Sequence, residues 1–563
     1  MEGYYIKKIG QNKGAPRVWL EGTETARAGF APGTRYDVEV QGQMIVLQAN
    51  TDGSRVVSGK VIGERNNPII DLNSKELLAM FDGMAAIRIV VKKDQIYLLP
   101  LASEIKKRER FARIRDKLEK GEPLALGSLS HGGGILSHAI HAGLKHAGIE
   151  STLRFANEIR GELLEHADAH NDAWTANTQV IAAPMQELAF DDRGVASLPK
   201  VDILEAGIPC SGTSRSGRSK LGLAHGEAHP HVGHLVVSAL VIVSKTNPAI
   251  VCIENVPEYG TSASADILRN QFRDMGYTTH ERILNGKQWG SLENRNRWCM
   301  LAVTDGIEFD FDQLQPPGPS LQLIADIVDP TIGPDDPCWR TFNYLKTKEV
   351  RDQEKGNSFA MQVVTGEGDS VSVMRKGYAK GGSTDPLLRH PTNPELMRQF
   401  TPEEHARIKG VPASLIEGLS NTIAHQVLGQ GIVYEPFKAV GAHVGNSLNI
   451  LQGKPGAPLV KRSAVLNITP NSEATVRVVQ AAHEPLQQNL FAEPVVMQGA
   501  YSGIVMDVVD NIVIQKINRQ GETVKHDHRA LTKSVLTGEV IDITYQNGIG
   551  KVGGKTIDAS IGR

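Results

Sequence analysis

Residues 124–136 have the sequence LALGSLSHGGGIL, which is an apolar run, a turn with three consecutive glycines and the start of a helix. An apolar strand that passes through a glycine-rich turn into a helix is typical of a βαβ unit. Apolar runs and helical stretches continue to alternate up to about residue 303, which predicts an α/β domain with a parallel sheet. The ligand site of such a sheet lies at the carboxyl ends of its strands.

The overall composition excludes several classes of protein. The chain has 563 residues, 40% of them hydrophobic and 22% charged, with a formal net charge of −2. This excludes a histone-like basic protein and an acidic disordered one. The sequence contains no run of about 18 apolar residues, so no membrane span is predicted. The N-terminus has no apolar signal core. Four cysteines are too few for a disulfide scaffold and too widely spaced for a CxxC zinc site, so we expect a cytoplasmic protein without a metal.

The first 105 residues contain a weak internal repeat. Two units about 51 residues apart each have an apolar strand, a short helical stretch and two alternating runs that indicate a hairpin. The pattern resembles the swapped-hairpin DNA-binding folds of the AbrB/SymE type, in which two copies build one β-barrel. We therefore expect a β-rich N-terminal domain over residues 1–105.

A basic segment follows over residues 106–121. Residues 1–120 carry 21 Lys and Arg against 15 Asp and Glu. One interpretation is a solvated helix that links two domains, and the other is a helix that contacts phosphate groups. The second interpretation would use Lys106, Lys107, Arg108, Arg110, Arg113 and Arg115.

Changes in composition divide the rest of the chain. An α/β core is expected over residues 122–313, and residues 314–400 lose the strand–helix rhythm and are rich in Pro, Gly, Asp and Thr. Helical signals return over residues 401–452, and a linker is expected over 453–497. Alternating runs over 498–563 predict a small β-rich domain that resembles the KfrB domains of plasmid proteins.

Two features mark the ends of the first strands. The turn Ser130–Gly134 opens a helix at Ile135, and Glu158 ends the next strand. An acidic residue about 20 or more positions after a glycine-rich turn is suited to bind two ribose hydroxyls. The alternative is a flexible glycine turn without a ligand.

A thiol follows a later strand. Pro209-Cys210 is flanked by glycines, which places the thiol on a loop at the edge of the sheet. The next ten residues, Ser211–Lys220, are polar and basic, which favours a solvated loop and a thiolate. The alternative is a buried structural cysteine.

Charged residues lie on the two strands that follow. Glu254 ends a strand 44 residues after Cys210, and Arg295 and Arg297 begin the next strand. Two arginines at positions i and i+2 of a strand point to the same face. A surface charge pair is the alternative for either feature taken alone.

Taken in order, these segments resemble the motifs of the cytosine-5 DNA methyltransferase family over about residues 122–452. The matching segments, with the family motif that each one resembles, are Ser130–Gly134 (Phe-x-Gly-x-Gly), Pro209-Cys210 (the Pro-Cys nucleophile), Glu254-Asn255-Val256 (Glu-Asn-Val), Glu293–Arg297 (Gln-x-Arg-x-Arg), Phe400–Pro412 (Leu-Thr-Pro-Arg-Glu-x-Ala-Arg-Leu-Gln-Gly-Phe-Pro) and Leu428–Val433 (the segment that completes the cofactor pocket).

The chain departs from the family pattern at several positions. Ser130 replaces the aromatic residue of the first motif, and Glu293 replaces the glutamine of the arginine motif. The acidic residue that usually follows the third strand is absent, and Gln186 lies there instead. Gly445-Asn446-Ser447 matches the last motif in letters, but we reject it because it lies inside the helix that should follow that motif.

The resemblance implies a Rossmann-like core that depends on S-adenosylmethionine, a smaller target-recognition domain over residues 314–400, and β-rich terminal domains. It implies that Cys210 attacks carbon 6 of a flipped-out cytosine, that Glu254 donates a proton at N3 and that Arg295 binds the cytosine O2, while Arg297 and Asn255 brace the loop. The expected cofactor-binding residues are Ser130, Gly132, Gly134, Ile135, Glu158, Gln186, Pro209, Gly431 and Ile432. The expected DNA-binding residues are Ser211, Thr213, Arg215, Arg218, Arg375, Lys376, Tyr378 and Lys380.

The implied partner is duplex DNA in the bacterial cytoplasm, where the protein would work on the nucleoid. A partner restriction endonuclease and a monomeric state are also expected. A chain that starts near Gly121 should stay active, because every motif lies beyond that residue. Two other functions stay open: an RNA cytosine-5 methyltransferase with the same motifs, and a DNA-binding plasmid or phage protein without activity.

Overall fold

The structure is a computed structural model. It describes residues 1–214, 218, 221–318, 322–357, 359–456, 500–509, 512–517, 523–533, 535, 540–546 and 549–554. The chain divides into two compact units, Met1–Arg462 and Ser463–Arg563, and each is described by itself. Among the described residues, no helix has both the length and the apolar character that a membrane crossing requires.

The N-terminal region is a β-structure with its own apolar core, which includes Phe30, Leu47, Phe81 and Ile89. Both repeat units have the expected order of strand, helical turn and hairpin, and their first strands, β3 and β8, pair antiparallel. The sheets run in the orders β1-β9-β10-β5-β4-β6 and β2-β3-β8-β7. The elements are β1 (Gly3–Lys8), β2 (Gly10–Asn12), β3 (Ala15–Glu21), α1 (Thr23–Ala26), β4 (Arg35–Gln41), β5 (Met44–Ala49), β6 (Arg55–Val56), β7 (Ser58–Ile62), β8 (Arg65–Leu72), β9 (Ala86–Lys92) and β10 (Gln95–Pro100).

The basic segment forms helix α2 (Ala102–Lys120), and several of its cations contact the α/β core. Arg110 is fully buried and donates hydrogen bonds to the Thr304 hydroxyl and to the carbonyls of Met275 and Gly276. Arg113 and Lys117 form ion pairs with the buried Asp202 at 3.1 and 2.6 Å.

The interpretation that this helix binds phosphate is therefore wrong for three of the six basic residues that it would use. Lys106 donates to the carbonyl and hydroxyl of Ser244. Arg110 donates to Thr304, and Arg113 donates to Asp202. DNA contact by Lys107, Arg108 and Arg115 stays a prediction.

The expectation that a chain starting near Gly121 stays active also changes. Such a chain loses Ile114 and Leu118, which are buried in the main apolar cluster of the core. Burial of these two side chains alone stabilises the fold by about 3–6 kcal/mol, a large part of a typical stability of about 5–15 kcal/mol.

We therefore expect that the chain starting at Gly121 aggregates or unfolds, whereas a chain starting at Leu101 keeps α2 and stays folded. Thermal unfolding of both shortened chains, followed by circular dichroism, checks this expectation. Equal melting temperatures for the two chains would contradict the role given to α2.

The core is a seven-stranded sheet in the order β13-β12-β11-β14-β15-β17-β16. Strand β17 runs in the opposite direction to the other six strands. The predicted α/β fold is confirmed. The elements are β11 (Leu124–Leu129), α3 (Ile135–His146), β12 (Ser151–Glu158), α4 (Gly161–His170), β13 (Gln179–Ala182), α5 (Met185–Phe190), α6 (Asp192–Ser197), β14 (Ile203–Gly207), α7 (Leu235–Thr246), β15 (Ile250–Asn255), α8 (Ala263–Asp274), β16 (Tyr277–Asn285) and β17 (Asn296–Thr304).

Residues beyond the core sheet form a small domain and then return to the core. The small domain has α9 (Asn343–Glu354) and a sheet of β18 (Val363–Val364), β19 (Leu387–Arg389) and β20 (Met397–Arg398). The return consists of α10 (Pro402–Lys409), α11 (Asn421–Gln430) and α12 (Tyr434–Leu451).

Helix α12 packs closely on α3, and glycines allow the approach. A Cβ atom at Gly143 would lie 2.1 Å from the carbonyl oxygen of Lys438, and one at Gly441 would lie 2.6 Å from that of Ile140. This contact brings the end of α11 and Gly431 next to the glycine turn before α3. Gly445–Ser447 lies inside α12, as expected when it was rejected as a motif.

The second unit is a five-stranded antiparallel sheet in the order β23-β22-β21-β24-β25. Its strands are β21 (Ala500–Val509), β22 (Ile512–Lys516), β23 (Thr523–Asp527), β24 (Val540–Gln546) and β25 (Ile549–Gly554). Most of the expected linker over residues 453–497 lies outside the described residues.

Candidate active site

A cleft of about 1440 Å³ opens at the carboxyl ends of the parallel strands. Gly207 of β14 is the register partner of Glu254 of β15, so Pro209-Cys210 extends past the sheet beside that carboxylate. The cleft brings together Cys210, Glu254, Arg295 and Arg297, which the sequence spreads over 88 positions. The described residues contain no group of three or more side chains suited to hold a metal ion.

The thiol of Cys210 is half-buried. Its backbone carbonyl accepts hydrogen bonds from the amides of Thr213 and Ser214, which close a tight turn after the thiol. Burial and the Glu254 carboxylate raise the pKa of Cys210, although Arg297 and Arg295 act in the opposite direction. The raised pKa does not favour the thiolate that was expected from the basic loop.

Glu254 is held by an ion pair. Arg297 Nε lies 2.7 Å from Glu254 Oε1, and both side chains are 13% exposed. Asn255 is buried and donates to the carbonyl of Ile208, which ties the Glu-Asn-Val strand to the loop that bears Cys210. This hydrogen bond is consistent with the prediction that Asn255 braces the loop.

The two arginines differ in their surroundings. Arg295 is 3% exposed, and it donates to the carbonyl of Gly429 at 3.0 Å and to that of Met374 at 3.5 Å. Burial lowers the pKa of Arg295 to about 10. Arg295 thus joins the small domain to α11, while Arg297 contacts the carboxylate. This geometry favours the reverse of the roles expected from the sequence.

Glu293 and Lys409 form a fully buried ion pair in the places where the family pattern has two glutamines. Their charged atoms lie 3.2 Å apart. Glu293 accepts from the amide of Met374, and Lys409 donates to the carbonyls of Leu428 and Gly431. Burial and the nearby Arg295 lower the pKa of Lys409 to about 7. The pair joins the core, the small domain and the segment that closes the cleft.

Breaking this pair from one side should destabilise the protein more than replacing both partners. Glu293→Gln or Lys409→Gln leaves one charge buried without its partner, which costs about 3–5 kcal/mol, and the double variant leaves two amides that can bond to each other. Chemical denaturation of the two single variants and the double variant measures this. Additive losses in the double variant would show that the pair is not coupled.

The other end of the cleft is formed by the glycine turn and the end of β12. Glu158 accepts hydrogen bonds from the amides of Gly132 and Arg160, which orients its carboxylate beside the glycine turn. Ser130 has a φ of 54°, a conformation that serine rarely adopts and that is common at ligand sites. Ile135 and Ile432 form apolar walls.

Of the nine predicted cofactor-binding residues, eight line this cleft, and Gly134 is not among the described lining residues. Gly134 instead supports the turn, because its carbonyl accepts from Asn171. His131 and Glu205 also line the cleft and were not predicted from the sequence. Their signal was a histidine inside a glycine turn and a glutamate inside an apolar strand.

Four of the eight predicted DNA-binding residues line the cleft. Ser211, Arg375, Lys376 and Lys380 line the cleft, and Arg375 pairs with Asp385 at 2.9 Å. Thr213 packs against Gly226 in a separate small pocket, Arg218 is partly buried, and Arg215 lies outside the described residues.

The prediction that Tyr378 binds DNA is wrong. This side chain is fully buried, donates to the carbonyl of Pro386 and accepts from the amide of Phe400. Its ring packs beside His405 and His425, so it supports the small domain against α10 and α11.

A family model described as C-5 cytosine-specific DNA methylase matches residues 137–446, which is more than half of the chain. The chain belongs to this family. The predicted enzyme class, a DNA cytosine-5-methyltransferase with S-adenosylmethionine as methyl donor, is confirmed. A second model, the KfrB domain, matches residues 500–553, the strands that the sequence analysis compared with it.

Similar proteins include two Type II methyltransferases. M1.ScrFI of Lactococcus lactis subsp. cremoris is 23% identical over 252 residues, which cover 43% of this chain and 62% of that relative. M.NlaX of Neisseria lactamica is 23% identical over 267 residues, 46% of this chain and 81% of the relative. Among solved structures, the Dnmt2 methyltransferase of S. pombe has a TM-score of 0.45 and 19% identity over 59% of this chain and 99% of its own.

Proposed function

We propose that the protein methylates carbon 5 of a flipped-out cytosine within a specific sequence of duplex DNA, through a covalent bond to Cys210. The observation that carries the proposal is the convergence of Cys210, Glu254 and Arg297 in one cleft with the cofactor-binding turn. A cytosine inside a duplex cannot reach a thiol in a cleft, so the base must leave the stack.

The residues divide the chemistry as follows. The Cys210 thiolate adds to carbon 6 of cytosine, while Glu254, protonated when the base is bound, delivers its proton to N3, so carbon 5 becomes a nucleophile. When bound, S-adenosylmethionine supplies the methyl group that carbon 5 takes. A base then removes the proton from carbon 5, the thiolate leaves as the double bond between carbons 5 and 6 is restored, and the N3 proton returns to Glu254.

Arg297 rather than Arg295 is the residue we assign to the base. Its guanidinium already contacts Glu254, so a base hydrogen bonded to that carboxyl would lie within reach of the same arginine. A guanidinium can donate to the cytosine O2 and hold the ring in place. Arg295 is the positioning residue, because its two terminal nitrogens donate to carbonyls of the small domain and α11.

The cofactor is assigned to the end of the cleft with the glycine turn. Glu158 is suited to the ribose hydroxyls, and Ile135, Ile432, Pro209 and Gln186 surround the rest of that end. Sequence recognition is assigned to the small domain through Arg375, Lys376 and Lys380, which reach the cleft from the opposite side. The relatives' description as Type II methyltransferases supports a place in restriction–modification, with a separate endonuclease.

Bisulfite sequencing of DNA from cells that express the protein tests the proposal and reads out the recognition sequence. Methylated cytosines in one short sequence context are expected, and none in cells with the Cys210→Ser variant. A parallel assay with transfer RNA as substrate separates the RNA methyltransferase alternative. Methyl transfer to RNA alone, or no transfer to either substrate, would contradict the proposal.

A further inference from the structure

A buried carboxyl group lies beneath the cleft, and the chemistry above does not use it. Glu205 is in the middle of β14 and is 2% exposed, yet it lines the cleft. Alternate residues of a strand share a face, so the next residue on this face toward the cleft is Gly207. Because Gly207 has no side chain, the carboxyl of Glu205 is open toward the cleft.

Within the part of the chain that the structure describes, Glu205 has no cationic partner. Ser128 and Cys252 are its register partners on the neighbouring strands. His131 Nδ1 lies 4.0 Å from Glu205 Oε1 and is hydrogen bonded to the Ser128 hydroxyl, but burial lowers the pKa of His131 to about 3, so its ring is neutral. The charged group that acts on Glu205 is the Glu254 carboxylate, which has the same sign.

These surroundings keep Glu205 protonated near neutral pH. Burial raises its pKa to about 8, with a further increase from Glu254, although the Ser128 hydroxyl opposes the shift. At the same end of the cleft, Nε2 of His131 is buried without a hydrogen-bond partner among the described residues. A buried polar atom without a partner, beside a buried carboxyl without a cation, indicates that a ligand at the wall of the cleft supplies the missing partner.

We propose that Glu205 is the anionic partner of the sulfonium centre of S-adenosylmethionine and that it releases its proton when this cofactor binds. The inference rests on the assignment of the cleft to S-adenosylmethionine. The sulfonium carries a fixed positive charge, which is lost when the methyl group leaves. An ionised carboxyl at this place therefore favours the methyl donor over the product S-adenosylhomocysteine, and the proton passes to the solvent.

Calorimetric titration of the full-length protein with each of these two ligands tests the proposal. The titrations are run at pH 7 in two buffers that differ in ionisation enthalpy, so that the number of protons exchanged can be extracted. We expect S-adenosylmethionine to release close to one proton more than S-adenosylhomocysteine. By linkage, its affinity should rise about tenfold between pH 6 and pH 7 and level off above pH 8.

A matched pair of variants assigns the proton to Glu205. Glu205→Gln should abolish the extra proton release and lower the preference for S-adenosylmethionine over S-adenosylhomocysteine about tenfold, while S-adenosylhomocysteine still binds. Glu187→Gln removes an exposed carboxylate of α5 near the cofactor end and should change neither quantity. Protons exchanged by the amino group that both ligands carry contribute equally to variant and wild type, so they cancel when the two proteins are compared.

The outcomes separate this inference from the cofactor assignment. Tight binding of S-adenosylmethionine with equal proton exchange for both ligands would overturn the role of Glu205 and leave the cofactor assignment intact. Unchanged proton release in Glu205→Gln would have the same consequence. If wild-type protein bound neither ligand, the cofactor assignment would fail and the inference with it.

Discussion

Cys210→Ser is expected to lower the rate of methyl transfer roughly a thousandfold or more, with no loss of cofactor binding. A hydroxyl is far harder to ionise than a thiol and adds poorly to carbon 6, so the covalent step is lost. A thousandfold corresponds to about 4 kcal/mol of transition-state stabilisation. Cys210 lies at the turn between β14 and the following loop, and the substitution changes one atom, so the fold should persist.

A trapped adduct gives the direct measurement. Wild-type enzyme should form a complex with DNA that contains 5-fluorocytosine and that resists denaturation, because carbon 5 then has no proton to lose. Cys210→Ser should form none. Cys338→Ser is the matched control, since Cys338 is a partly buried cysteine of the small domain away from the cleft. An adduct that survives in Cys210→Ser would remove Cys210 from the mechanism.

The pH dependence of the wild-type enzyme should reflect the environment of this thiol. Burial and Glu254 raise the pKa of Cys210, so the reactive thiolate becomes more abundant as the pH rises. The single-turnover rate should therefore increase with pH above neutrality until the thiol is ionised. From the sequence, the polar, basic loop after Cys210 favoured a thiolate and therefore a lowered pKa. That expectation was wrong because a local sequence pattern gives no measure of how deeply the thiol is buried.

Local sequence patterns predicted the features that depend on neighbouring residues. The strand, glycine turn and helix at residues 124–136 and the strand ends at Pro209-Cys210 and Glu254 depend on hydrophobic periodicity and turn chemistry within a few positions. The order of the sheet then brings these strand ends together. The main residues of the cleft could be named from sequence for this reason.

Features that depend on distant packing could not be predicted in this way. The segment around Tyr378 is basic and rich in glycine, which is typical of an exposed loop, but His405 and His425 from two later helices cover the ring. Arg110 looks like a solvated cation until the carbonyls of Met275 and Gly276 are placed beside it. In both cases the partner lies more than twenty residues away along the chain.

The two arginines of the Glu293–Arg297 segment show the same limit at the site itself. Their spacing places both on one face of a strand, but it does not distinguish which one meets Glu254. The distinction comes from Gly429 and Met374, whose carbonyls accept hydrogen bonds from the two terminal nitrogens of Arg295, while Arg297 contacts the carboxylate.

Glu254→Gln is expected to lower the methyl-transfer rate by about 10²–10⁴-fold while DNA affinity changes little. The amide can still donate a hydrogen bond to N3, so the base is held, but it cannot deliver a proton as carbon 6 is attacked. Single-turnover rates and DNA dissociation constants, measured on the same preparation, separate the two effects. Losses of the same size in both quantities would make Glu254 a binding residue only.

A second readout distinguishes this role from a general disturbance of the site. Because the Glu254 carboxylate raises the pKa of Cys210, its replacement by a neutral amide should lower that pKa, and Arg297, freed from its ion pair, should act in the same direction. Alkylation of Cys210 by iodoacetamide should then reach its maximum rate at lower pH in Glu254→Gln than in wild type. Glu187→Gln, which removes an exposed carboxylate, should leave the profile in place. Loss of methyl transfer in a variant whose thiol is easier to ionise cannot result from a shortage of thiolate, and unchanged DNA affinity in the same variant would then assign the loss to the proton that Glu254 delivers.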